Sequence, residues 1–236
     1  MATSKIESAS LASDAVDNTN LNSTLITGQT AITSLADTDK FLVSQASDSG
    51  NLKYVEKQYL PSGGLVFIQS QSVTSNTSQV NFDSVFSSTY DNYLFIWEIT
   101  PNTGGVDVHF NFRTTVPANH GSAYYQAVDV KDHLNNDDSY VLNNHTTLIL
   151  AQGPYDQDDK DKPTSSGYLI IHEPFTSGIR TSLQMQNSYN TTNADYRFGS
   201  GGCFVDSTAQ FGGFSCSTSA GSINNMTGRV YGMVNS

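Results

Sequence analysis

The sequence is poor in charge, in cysteine and in long apolar runs, and each shortage excludes a class of protein. Charged residues make up 14% of its 236 residues, against roughly a quarter in an average globular protein. Cys203 and Cys216 are too few for a disulfide scaffold or a four-thiolate zinc site, and we expect buried free thiols. No run of about 18 apolar residues predicts a membrane-spanning helix, and the N-terminus lacks the apolar core of a signal peptide. We therefore expect a protein made in a cytoplasm, without membrane insertion.

Basic residues are also scarce. Lys and Arg together number 11 against 22 Asp and Glu, which gives a formal net charge of −11. Polyanions are repelled by such a chain, so we expect no nucleic-acid partner. Aromatic residues, by contrast, reach 11%. Disordered chains have few aromatic residues, and part of this chain must therefore pack into a core.

The apolar pattern divides the chain into three parts: residues 1–31, 32–62 and 63–236. Isolated apolar residues with no period mark the first part, which predicts an extended segment ordered by partner chains. Short strands at Lys40–Ser44 and Leu52–Val55, separated by turn residues, predict a small hairpin connector in the second. The residues around Pro61 to Gly64 are typical of a boundary.

From residue 63 onward the pattern is that of repeated β-strands. It is clearest in Val106–Arg113, where apolar and polar residues alternate and predict one buried and one wet face. Many short strands between Gly, Pro, Asn and Ser turns predict an all-β fold, an antiparallel β-sandwich of jelly-roll type. The other predicted strands are Leu65–Gln69, Val80–Phe82, Tyr93–Thr100, Ala123–Val130, Thr146–Ala151, Ser166–Glu173, Ser182–Asn187, Gly202–Asp206, Gln210–Cys216 and Gly228–Val234.

The strand Tyr93–Thr100 is apolar on both faces. Tyr93, Phe95, Trp97 and Ile99 share one face, whereas Leu94 and Ile96 share the other. Two interpretations stay open: a central strand of the sandwich, or a strand whose second face meets a neighbouring subunit.

Three stretches resemble a module of tail fibres and related structural proteins of tailed bacteriophages. They are residues 35–44 with 50–55 (LADTDKFLVS and GNLKYV), residues 82–96 (FDSVFSSTYDNYLFI) and residues 221–233. The resemblance implies a homotrimeric, β-rich fibre tip in the virion, synthesised in the host cytoplasm. It further implies that the N-terminal segment docks onto other virion proteins, while distal loops contact a host surface glycan or outer-membrane protein.

Aromatic and amide residues are frequent in the middle of the sandwich sequence. Aromatic faces stack on sugar C–H bonds and amides meet hydroxyl groups, so these residue types suit a receptor site. Within the adjacent pair Tyr124-Tyr125, one core and one surface residue is an alternative interpretation. The candidate receptor-binding residues are Tyr124, Tyr125, Tyr140, Asn143, Asn144 and Tyr155.

An acidic run is the candidate metal site. Asp156, Asp158, Asp159 and Asp161 offer the oxygen ligands that Ca²⁺ prefers, but they lack the EF-hand pattern, and a solvated loop tip is the alternative. Asp107 and His109 have a spacing that two metal ligands can use, with no third ligand nearby. No other cofactor is expected.

No catalytic residues are predicted, because the sequence has no G-x-S-x-G elbow and the sandwich holds only Glu98 and Glu173 as glutamates. We therefore expect a protein that is not an enzyme. The leading hypothesis is a tail fibre for host attachment. One alternative is a capsid, neck or fibre-shaft decoration or adaptor protein that contacts only phage proteins. A small polysaccharide depolymerase is a third.

Overall fold

A computed structural model describes residues 35–36, 38–45, 51–57, 64–114, 118–121, 123–132, 137–153, 165–191 and 196–234. The chain divides into two compact units, Met1–Pro61 and Ser62–Ser236. The extended segment predicted at residues 1–31 lies outside the described residues. Within the described part of the chain, no helix has both the length and the apolar character needed to cross a bilayer.

The first unit contains the predicted hairpin. Strands β1 (Lys40–Gln45) and β2 (Asn51–Glu56) pair antiparallel. The Lys40 ammonium lies 4.2 Å from the centre of the Tyr54 ring, a cation–π contact worth about 0.5–1 kcal/mol at an exposed position. At the base of the hairpin, the Asp39 carboxylate accepts a hydrogen bond from the Ala36 amide at 2.8 Å.

The second unit is a sandwich of two antiparallel sheets. The large sheet has eight strands in the order β3-β14-β5-β10-β11-β12-β7-β8, and the small sheet has four in the order β4-β13-β6-β9. Their bounds are β3 Leu65–Val73, β4 Gln79–Phe82, β5 Asn92–Pro101, β6 Val108–Thr114, β7 Tyr124–Asp132, β8 Asp137–His145, β9 Leu148–Ala151, β10 Ser165–His172, β11 Ser182–Asn190, β12 Tyr196–Val205, β13 Phe211–Thr218 and β14 Ile223–Met233.

The strand order is that of a jelly roll. When β7, β8, β11 and β12 are set aside, the remaining strands form two sheets of four, β3-β14-β5-β10 and β4-β13-β6-β9. Apart from the step from β6 to β9 within the small sheet, successive strands of this set lie in opposite sheets, as in the two Greek keys of a jelly roll. The four additional strands are inserted after β6 and after β10, and they extend the large sheet beyond β10. The predicted antiparallel sandwich is therefore confirmed.

Aromatic rings fill the space between the sheets. Phe214 lies at their centre, with its ring centroid 4.6 Å from Phe82, 4.6 Å from Phe95 and 4.7 Å from Phe110. All four side chains are fully buried, and each ring stabilises the fold by about 1.5–3 kcal/mol through removal of its surface from water. Cys203 and Cys216 are buried free thiols, as predicted.

The predicted strands all overlap observed ones, and the sequence missed one strand, β8. The faces of β5 are as the alternation predicts: Tyr93, Phe95, Trp97 and Ile99 are buried, whereas Ile96 is exposed. β5 lies between β14 and β10. It is therefore a central strand, and its outward face is not covered by the rest of the described chain.

Candidate functional site

Two aromatic residues lie side by side on the outward surface of the large sheet. The register of β7 and β12 places Tyr125 directly opposite Phe204, a distance at which side chains of neighbouring strands touch. The Phe204 side chain is 60% exposed and that of Tyr125 is 41% exposed. Hydrophobic side chains of this size are costly to leave in water, so this pair is a candidate for ligand contact.

An ion pair lies beside these rings. Arg180 Nη2 is 2.8 Å from Asp206 Oδ1, and both side chains are largely exposed. Exposed ion pairs stabilise a protein by less than about 1 kcal/mol, because water competes for each partner. Both groups are consequently available for hydrogen bonds to a ligand.

The backbone around the ion pair is fixed by hydrogen bonds. The Val205 amide donates to the Thr181 carbonyl at 3.1 Å, and the Asp206 amide donates to the Ala123 carbonyl at 2.8 Å. The Gly178 amide donates to a carbonyl of the segment after β12 at 3.1 Å. Arg180 and Asp206 are therefore held at the same end of the sheet, where β11 begins and β12 ends, beside the aromatic rings.

These residues line an open surface pocket of about 520 Å³, named here the aromatic pocket: Tyr125, Arg180, Phe204, Val205 and Asp206. Its volume lies within the range of about 300–1,000 Å³ typical of small-ligand sites. The pocket combines apolar rings with a donor fork and an acceptor carboxylate, which suits recognition of a ligand with one apolar face and several hydroxyl groups.

The aromatic pocket contains no activated nucleophile. The neighbouring Cys203 side chain is buried, and burial raises the pKa of its thiol to about 12, so the thiol stays protonated at neutral pH. The described pocket residues offer ring faces, donors and an acceptor with which to bind a ligand.

The pocket lies at one end of the large sheet. The pairing register carries a row of residues across the sheet, Leu65, Met233, Asn92, His172, Ser182, Phe204 and Tyr125. This is the end where β3 begins and β14 ends. Attachment through loops distal to the N-terminal segment stays a prediction, because residues 1–31 lie outside the described residues.

The structure corrects one predicted receptor residue. Tyr124 is fully buried, its hydroxyl accepts a hydrogen bond from the Phe112 amide at 2.8 Å, and burial raises its pKa above the usual value. It is a core residue because strand alternation turns it inward when Tyr125 faces out. A receptor cannot reach Tyr124, and the interpretation of the pair as one core and one surface residue is the correct one.

Two predicted receptor residues, Asn143 and Asn144, lie opposite Tyr125 on β8, which pairs with the edge of β7 that faces away from β12. Between β7 and β8 the register shifts so that Asn143 and Asn144 together oppose this one residue, which is a β-bulge. Asn144 has a φ of 60°, a left-handed conformation that Asn tolerates better than most residues. Both amides are exposed. Tyr140 belongs to β8, but its side chain, like Tyr155, lies outside the described residues.

The remaining pocket residues were missed by the sequence interpretation. Phe204 has a visible signal, since Phe198, Ser200, Gly202 and Phe204 alternate on β12 with inward residues. Arg180 and Asp206 have none, because they lie in the segments just before β11 and just after β12 and meet only when these strands pair.

The predicted calcium ligands Asp156, Asp158, Asp159 and Asp161 lie outside the described residues. Among those that are described, no group of three His, Cys, Asp or Glu residues is arranged to hold a metal ion. The Asp107 carboxylate accepts a hydrogen bond from the Gly153 amide at 3.0 Å. Its role there is to fix the turn after β9.

A second surface feature is the outward side of β3, β14, β5 and β10. Strand register groups its large side chains in two adjacent rows, with Ile96 exposed at the centre and Arg229 and Glu98 as its charged residues. The six large side chains, named here the apolar face, are Phe67, Leu94, Ile96, Tyr168, Ile170 and Tyr231.

The outward side of the small sheet is polar and hydrogen-bonded within the chain. Asn119 accepts from Arg113 Nη1 at 2.9 Å and from Ser215 Oγ at 3.1 Å, and it donates to Gln79 Oε1 at 3.1 Å. Arg113 Nε also donates to Asp83 Oδ1 at 2.6 Å. These five residues are named here the amide cluster.

Comparisons with known proteins found no family model, no curated protein and no solved structure that matches this chain. The jelly-roll sandwich, its aromatic pocket and its apolar face are therefore interpreted from the chain's own residues.

Proposed function

We propose that the chain is a structural protein of a tailed-phage virion, a homotrimeric tail fibre whose sandwich takes part in attachment to the host surface. The observation that carries this proposal is the apolar face. Its side chains are not covered by the described chain, and a contact with another subunit would cover them. Jelly rolls of this strand order are frequent in viral capsid and lectin domains, where the sheets present surfaces rather than reactive centres.

The apolar face supports self-association for two reasons. Contiguous exposed apolar surface of this kind is typical of protein–protein contact. Its charged residues, Arg229 and Glu98, are opposite in sign, so copies of a chain with net charge −11 meet here without like-charge repulsion. In a closed threefold assembly the apolar face on β3, β14, β5 and β10 becomes interior, which protects it from open-ended aggregation.

The mass of the assembly in solution tests this proposal. In light scattering after size exclusion we expect three times the 25.5 kDa of one chain. Ile96→Glu places a carboxylate at the centre of the apolar face, and we expect it to give monomers, since a buried unpaired charge is costly at an interface. Asn81→Asp adds the same charge on the small sheet, where Asn81 already accepts a hydrogen bond from Gln79, and should leave the trimer intact.

Cell binding separates the attachment role from a purely structural one. The wild-type trimer, added in soluble form, should coat host cells and block infection. Binding to particles without binding to cells would instead indicate a decoration or adaptor protein. A monomeric wild-type chain would contradict the homotrimer.

A further inference from the structure

The aromatic pocket has the chemistry of a saccharide site. We infer that Tyr125, Arg180, Phe204 and Asp206 bind one neutral pyranose unit of a surface glycan. This inference rests on the attachment role proposed above, to which it adds a location and a ligand class.

The first support is the pair of exposed rings. Phe204 and Tyr125 are held opposite each other by β-pairing, with their side chains on the same outward surface. A pyranose ring presents C–H bonds on one face, and an aromatic face carries the partial negative charge that attracts them. Two adjacent rings fixed on strands offer this contact with little loss of conformational freedom on binding.

The second support is the ion pair at the edge of the rings. The Arg180 guanidinium supplies a planar fork of donors, and the Asp206 carboxylate supplies acceptors. Hydroxyl groups on neighbouring carbons of a sugar need both a donor and an acceptor. Because the Arg180–Asp206 pair is solvent-exposed, a sugar hydroxyl that binds there displaces water. It does not have to break a buried contact.

The third support is charge. The described lining residues hold one positive and one negative group at 2.8 Å, so their net charge is zero, and the whole chain carries −11. A uronic acid or a phosphorylated sugar would approach against this field. The pocket therefore favours a neutral sugar, and its volume of about 520 Å³ accommodates one or two rings.

The experiment titrates the full-length protein with methyl pyranosides of glucose, galactose, mannose and N-acetylglucosamine, and with glucuronic acid as the charged comparison. Binding is followed by saturation-transfer NMR and by shifts of the pocket amides. We expect millimolar binding of at least one neutral sugar and weaker binding of the acid. Phe204→Ala should weaken that binding by up to about tenfold, the equivalent of one lost aromatic contact.

The matched control is Phe198→Ala. Phe198 lies on the same strand and surface, is 58% exposed, and is not part of the aromatic pocket. We expect it to bind sugar as the wild type does. Asp206→Asn, which keeps the shape but removes the acceptor charge, should weaken binding without changing the mass of the assembly.

The outcomes separate this inference from the proposed function. If no neutral sugar binds, or if Phe198→Ala weakens binding and Phe204→Ala does not, the pocket assignment is overturned. If the Phe204→Ala trimer coats cells as well as the wild type, the pocket is again wrong while the attachment role stands. Sugar binding that is lost with Phe204, in a protein that is monomeric and does not coat cells, would support the pocket and contradict the fibre.

Discussion

The two outer surfaces of the sandwich differ in their side chains. Those of the small sheet are polar and hydrogen-bonded to each other, whereas many of those on the large sheet are apolar and exposed. On the small sheet, the segment 118–121 returns alongside β6 and the amide cluster joins side chains from several strands in one hydrogen-bonded network. On the large sheet, apolar side chains such as Ile96 and Phe67 lie in the open. The same sequence alternation that builds one core therefore leaves one surface complete and the other incomplete.

The small sheet's outer polar groups stabilise the monomer, whereas the large sheet's outer apolar groups are available to a partner. Polar groups are well tolerated at a buried position when they are hydrogen-bonded, and the buried Arg113 donates to both Asp83 and Asn119. Exposed apolar groups are not covered by the described chain, so they stabilise the protein only when a second surface removes them from water. The large sheet is therefore where a partner adds most, and the small sheet is where a mutation costs most within the monomer.

The largest expected effect comes from breaking the amide cluster. Arg113→Ala should lower the free energy of unfolding by about 3 kcal/mol, because it removes the guanidinium that pairs with Asp83 and one of the donors to Asn119, at a site where the Arg113 side chain is only 9% exposed. The measurement is urea denaturation.

The control is an ion pair of similar length on the large sheet's side. Arg180 and Asp206 are 64% and 44% exposed, and Arg180→Ala should lower the unfolding free energy by less than about 1 kcal/mol. Equal losses in the two variants would remove the distinction between a completed and an open surface.

A medium effect is expected within β12 of the large sheet. A Cβ added at Gly201 would lie 2.8 Å from Val128 Cα and closer still to the carbonyl oxygen of Ala127. Gly201→Ala should destabilise by about 2 kcal/mol through overpacking. At Gly202, on the open side, the nearest atom is Leu183 O at 3.4 Å, and alanine there should be neutral or stabilising by up to about 1 kcal/mol.

Thermal unfolding of both glycine variants checks this contrast. A lower melting temperature for Gly202→Ala than for Gly201→Ala would show that the outward surface of β12 is covered by something other than solvent.

The smallest expected effect is a pH dependence on the small sheet. Burial lowers the pKa of His109 from its ordinary value of 6.5, although the Asp107 carboxylate opposes this shift. The unfolded chain therefore takes up a proton below about pH 6.5 while the folded chain does not, and stability falls as the pH drops from 6.5 toward the lowered pKa. His109→Gln should flatten this decline in denaturation curves collected between pH 7 and 5, and an unchanged slope would exclude His109 as its source.

Alternation predicted the sandwich because a period of two is visible in single strands such as Val108–Thr114. It could not predict β8, since Asp137, Asn143 and Asn144 disfavour strands in isolation and pairing with β7 overrides that preference. For the same reason the sequence identified Tyr125 but not the other residues of the aromatic pocket. Arg180 and Asp206 are ordinary turn residues until β11 and β12 bring them together.

One hydrogen bond has a practical consequence. The Val234 amide donates to the Gly64 carbonyl at 3.1 Å, so the two ends of the sandwich emerge at one corner. A short peptide could join them and new termini could open within the 173–181 turn, giving a circularly permuted chain with every strand neighbour unchanged. A cargo fused behind Val234 would equally leave from that corner, beside the strand on which the sandwich begins.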